Sequence, residues 1–199
     1  MYCCKVEKSL SGIDNKSIFE QMKTDRLNML LYSGVLQSDT MSGVTVNQSL
    51  IYNGTQVPNA YSFYEFFGYS AADVQYVLSY AHNLIWDLQM IKKSINKSGS
   101  QDYNESINES ILAIEGLIKI YDVLPNLITT INNEIIEQIN LTVNGKNTAT
   151  ITQQITNHLS SAISTVNSGL TQEQKILSIL DPLMSSLASS DDLLTFTIC

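Results

Sequence analysis

The sequence predicts a mainly α fold: an elongated helical bundle around a long coiled-coil hairpin of antiparallel type, with short β or irregular inserts. Three observations predict it. Apolar residues recur at alternating steps of three and four through two stretches, near 70–97 and 150–194, and that spacing gives each helix one apolar stripe. The 199 residues are 44% apolar, enough to bury a core and too much for a disordered chain. The faces between the stripes carry Ser, Thr, Asn and Gln. Only 15% of residues are charged, against the usual quarter.

In chain order, residues 1–15 read as an N-terminal tail. Residues 16–60 read as a helix followed by a loop with short strands, and 61–199 as the coiled-coil domain with a helical insert at 101–147. The helix over 16–37 places Ile18, Phe19, Met22, Met29 and Leu30 inward, with Arg26 and Ser33 interrupting the stripe. Val44-Thr45-Val46, Leu50-Ile51-Tyr52 and the Asn53-Gly54 turn pair predict short extended pieces. Tyr61, Phe63, Tyr64, Phe66, Phe67 and Tyr69 open the next helix as a core plug.

That helix carries its seam at Val74, Val77, Ala81, Leu84, Leu88, Ile91 and Ile95, and Gly99 can cap its end. Ile107, Ile111, Ile114, Ile118 and Tyr121 continue the spacing. Pro125 breaks it, because the residue before a proline avoids the helical basin. A shorter helix follows over 126–139 with Ile128, Ile131, Ile135 and Ile139 on one side, and Leu141-Thr142-Val143 before Asn144-Gly145 reads as a short strand or turn. The last seam runs through Leu159, Ile163, Val166, Leu170, Leu177, Leu180, Met184, Leu187 and Leu194, with Glu173 and Asp191 as its polar members. Pro182 predicts a kink there, or a restart with Asp181 as N-cap.

Net charge is −8. That excludes the basic footprint that nucleic acid needs and the polybasic attraction to anionic membranes. No apolar run approaches the roughly 18 residues of a membrane span, so no stable membrane insertion is expected. The opening MYCCKVEKSLSGIDNKS has no apolar signal core, so the protein is expected to stay in the cytosol, to leave by a route that needs no cleaved signal, or to have had a signal removed. Cys3, Cys4 and Cys199 are too few and too terminal for a disulfide framework.

No catalytic residue, metal ligand or cofactor site emerges. His82 and His158 have no helical partner for a metal, and no nucleophile elbow, zinc motif or phosphate loop is present. The Asn-x-Ser/Thr sequons at Asn15, Asn47, Asn53, Asn96, Asn104, Asn108 and Asn140 follow from the abundance of these residues. The outer face of the last helix bears Gln153, Gln154, Asn157, Ser160, Ser161, Ser164, Thr165, Asn167 and Ser168. With little charge to repel, copies of such a face can pack side by side.

The order of features resembles a known family. A long heptad helix, a polar insert, LPNLITTINNEIIEQINLTVNG, then ISTVNSGLTQEQKILSILDPLMSSLASSDDLL is similar in pattern to the hydrophilic translocators of type III secretion systems, the needle-tip and translocator-filament proteins. The resemblance covers roughly residues 60–195, and Pro182 is a departure from it. It implies a secreted, non-enzymatic assembly protein without a cofactor, at the bacterial surface on the needle. Implied partners are its own copies, the needle subunit and the pore-forming translocators, with 70–97 and 150–194 as assembly helices. Two other readings stand beside it: a secreted effector or toxin acting on a host target, and an acidic cytosolic secretion chaperone.

Overall fold

The fold is a helical bundle. The computed structural model describes residues 15–45, 49–52, 55–58, 60–98 and 102–190, with side chains described over 15–38, 72–96 and 102–190. Residues 1–14 of the expected 1–15 tail, the three cysteines, the Asn53-Gly54 pair, Gly99, the Asp191-Asp192 pair and Leu194 lie outside the described residues; Asn15 is helical and buried, not part of a tail. So do the side chains of the 61–69 aromatic cluster.

Among the described residues, five helices and two strands follow in order: α1 (Asn15–Thr45), β1 (Ser49–Tyr52), β2 (Thr55–Pro58), α2 (Ala60–Ser98), α3 (Asn104–Tyr121), α4 (Leu124–Val143) and α5 (Ala149–Ala188). The strands pair antiparallel, Ser49 opposite Pro58 and Tyr52 opposite Thr55. Helix α1 runs further than the spacing predicts: Val44 and Thr45 are its last residues, not an extended piece.

Two further boundaries differ from expectation. Leu141-Thr142-Val143 is helical, and Asn144-Gly145 closes α4 instead of turning between strands. Gly145 sits at φ 66°, a basin that suits glycine at the residue after a helix cap. Its N–H reaches Thr142 O at 3.1 Å, and the Lys146 N–H reaches Leu141 O at 2.9 Å. These two bonds satisfy the orphan carbonyls of the last turn. Asn147 Oδ1 then accepts the Ala149 N–H at 2.8 Å and starts α5.

Helix α5 is continuous through Pro182, so the expected restart with Asp181 as N-cap does not occur. Losing one backbone bond at a mid-helix proline costs about 3 kcal/mol. Here Pro182 and Ser178, whose carbonyl loses its donor, are both exposed, so water can satisfy the carbonyl. The buried side chains of Leu180, Leu183 and Leu187 hold both sides of the proline in the core. Asp181 caps nothing; its carboxylate is held by Arg26.

The chain divides into two compact units. One comprises Met1–Met29, Ser79–Leu117 and Gln172–Cys199; the other comprises Leu30–Leu78 and Ile118–Thr171. Each takes in part of α1. In the first unit, side-chain bonds link the helices in a ring. Ser94 of α2 donates to Asn15 of α1 at 2.6 Å, and Lys92 of α2 donates to Asn108 of α3 at 2.7 Å. Gln172 of α5 donates to Ala113 O of α3 at 2.8 Å, and Arg26 of α1 grips Asp181 of α5 at 2.7 and 2.8 Å. The two long stripes therefore face a core shared with α1 and α3. Met22, Met29, Leu84, Leu88, Ile91, Ile107, Ile114, Leu117, Ile176 and Leu180 fill it.

In the second unit Tyr121 is the central knob. It is fully buried, and its ring occupies the space a Cβ would take at Gly169. Its hydroxyl lies 3.5 Å from Ser33 Oγ. The chain turns at 122–123, yet Tyr121, Leu124, Ile128, Ile131, Ile135 and Gln138 keep the three-four spacing and are all buried. Pro125 sits in the first turn of α4, where its missing N–H costs nothing.

Candidate functional site

The residues proposed from sequence are helix-seam residues, and their burial tells what each helix can do. On α2 every one is buried: Val74, Val77, Ala81, Leu84, Leu88 and Ile91 at 0% exposure and Ile95 at 5%. On α5, Leu159, Val166, Leu180, Met184 and Leu187 are buried. Ile163, Leu170 and Leu177 are only half-buried. The buried stripe instead passes through Ala162, Gly169, Ile176 and Leu183. The two stripes share Leu159, Val166, Glu173, Leu180 and Leu187 and differ by one residue at every alternate step. At 162 and 169 the buried residues are the smaller ones, and the Tyr121 ring fills the slot over Gly169.

Polar residues on the core side are the features the apolar spacing hides. Asp25 is 4% exposed, Asp87 0% and Glu173 6%. All three belong to the first unit. Asp25 and Asp87 are within hydrogen-bonding reach of each other across α1 and α2. Asp25 Oδ2 and both Asp87 carboxyl oxygens meet no hydrogen-bond donor. Burial first, then the neighbouring Asp25 carboxyl, pushes the Asp87 acid up to about 8, as expected when two acids share a dry site. One sequence signal could have found Asp87: it falls on a second stripe with Leu84, Ile91 and Ser94, and a bundle helix buries a wider face than a two-stranded coil.

No group of three His, Cys, Asp or Glu among the described residues can hold a metal ion. His82 is exposed. His158 Nδ1 lies 2.9 Å from the Glu134 carboxylate and ties α5 to α4. An open groove is lined by Lys23, Arg26, Asp181, Met184 and Ser185. Its two cations are already engaged, Arg26 by Asp181 and Lys23 by Glu20 at 3.0 Å. Among the described residues, no helix is long and apolar enough to cross a membrane.

The outer face of α5 is distinctive. From Ala149 to Gln172 it contains no Lys, Arg, Asp or Glu. Its hydroxyls bond back to carbonyls of their own helix: Thr156 to Thr152, Ser160 to Thr156, Thr165 to Ser161 and Ser168 to Ser164 at 2.9 Å, and Ser161 to Asn157 at 3.1 Å. Gln153 Nε2 donates to Asn157 Oδ1 at 2.9 Å. A hydroxyl already bonded to the backbone gives up less when water leaves than a free one does.

Comparison of the chain with protein-family models, curated proteins and solved structures finds no match in any of the three.

Proposed function

We propose that this chain is a non-enzymatic assembly protein, of the type III hydrophilic-translocator kind that its sequence resembles, exported to the bacterial surface to cap or coat a needle. On this reading it also serves as the platform for pore-forming translocators. The observation that carries the reading is the uncharged outer face of α5, whose hydroxyls are satisfied within the helix. Burying charged side chains against a copy would cost desolvation and repulsion. Burying this face removes water from groups that keep their hydrogen bonds, so burial and shape can drive packing.

The test is expression beside a functional type III apparatus. Export should depend on the apparatus and on residues 1–14. Replacing both Ser161 and Ser168, exposed and two turns apart, by Glu should leave export and helix content intact while abolishing assembly on the needle. Export without the apparatus, or assembly of the doubly charged variant at wild-type level, would contradict the proposal.

A further inference from the structure

We propose that Asp25 and Asp87 form a proton-holding latch between α1 and α2: one proton shared by the two carboxyls closes this layer of the first unit, and its loss opens it. The geometry carries the proposal. Both side chains are almost fully withdrawn from water, they reach each other, and three of their four oxygens meet no donor. Two carboxylates in contact without a donor are two buried like charges. One proton placed between them converts repulsion into a charge-assisted hydrogen bond, with Asp87 O–H donating to Asp25.

The surroundings offer no substitute for that proton. From α1, Arg26 follows Asp25 in sequence but turns to Asp181, and Lys23 is exposed on Glu20. The Lys92–Asn108 and Asn96–Asn104 bonds set the register of α2 against α3. They bring the turn near Ala113 level with Asp87. There Ala113, Ile114 and Leu117 are buried while Glu115 is exposed. Gln172 bonds to Ala113 O, so α5 adds the buried acid Glu173 near the same level, while Lys175 is exposed. On α2 itself His82 and Lys93 are exposed and Lys92 is bonded to Asn108. Among the described residues, the buried charged side chains of this unit are all acids.

The folded pair holds its proton more tightly than the unfolded chain does. Its contribution is fully present below the ordinary carboxyl range near pH 4 and is lost as pH rises toward about 8. Urea unfolding of the full chain between pH 5 and 9.5 reads this directly, with Asp87→Asn and Glu173→Gln alongside. The wild-type unfolding constant should rise, relative to Asp87→Asn, by up to about tenfold per pH unit below pH 8 and then level off. Glu173→Gln should keep the wild-type slope. Parallel curves for wild type and Asp87→Asn, or a slope abolished by Glu173→Gln alone, overturn the latch. Should Asp87→Asn not fold, carboxyl-carbon NMR of the wild type decides. A proton released near or above pH 7 from Asp87 supports the latch, and two acids titrating below pH 5 overturn it.

Discussion

The two units bury polar groups of different kinds. In the first unit the core-facing polar set includes three acids, Asp25, Asp87 and Glu173, with no buried cation among the described residues. In the second, among the described residues, it comprises Ser33 and Gln138, and each is bonded: Ser33 with Tyr121 at 3.5 Å and Gln138 with Thr152 at 2.9 Å. Neutral groups that find partners cost little to bury, whereas acids cost much unless a proton or a cation neutralises them. Stability in the second unit should therefore follow packing, and in the first it should follow packing and pH.

The sharpest way to break this contrast is to move an acid. Val166 is 1% exposed in the core of the second unit, where the described residues include no buried acid to share a proton. Val166→Asp should cost about 3–5 kcal/mol at neutral pH, the range for an uncompensated buried charge, as measured by urea unfolding. A loss below about 1 kcal/mol would mean that the second core tolerates acids as the first does.

Smaller effects come from the glycines. Alanine at 169 would gain roughly 1 kcal/mol of helix propensity. It would also place a methyl where the buried Tyr121 ring lies, so Gly169→Ala should lower stability by about 1–3 kcal/mol. At Gly34 an added methyl meets nothing within 4 Å, and Gly34→Ala should raise the melting temperature, worth about 0.5–1 kcal/mol. Opposite signs at these two sites would show that packing outweighs helix propensity in the second unit. In the first, the Arg26–Asp181 pair is partly exposed. A double-mutant cycle on it should return no more than about 1 kcal/mol, far less than a cation buried against Asp87 would give.

The helical class and the α2 seam were legible because Val74 to Ile95 repeats apolar residues at steps of three and four without a break. The α5 seam was legible to within one residue. Ile163 and Leu170 look better than Ala162 and Gly169 by hydrophobicity alone, and the choice falls the other way through Tyr121, about fifty residues distant, which no local pattern reveals. Asn144-Gly145 spells a turn in either context, and only the backbone of α4 makes it a helix end. Ser33 reads as a break in the α1 stripe, yet it sits on that stripe with a partner. The buried acids were the least legible. A lone Asp on a helix reads as a solvated residue, and only the four-helix arrangement turns Asp25 and Asp87 toward each other.

Amide hydrogen exchange of the intact chain at pH 6 and pH 9, corrected for intrinsic exchange rates, tests the difference between the units most directly. Protection over residues 79–95 should fall at the higher pH by tens of fold, while 124–143 and 151–166 keep theirs. Equal losses in both sets of peptides, or no loss around Asp87, would contradict the account.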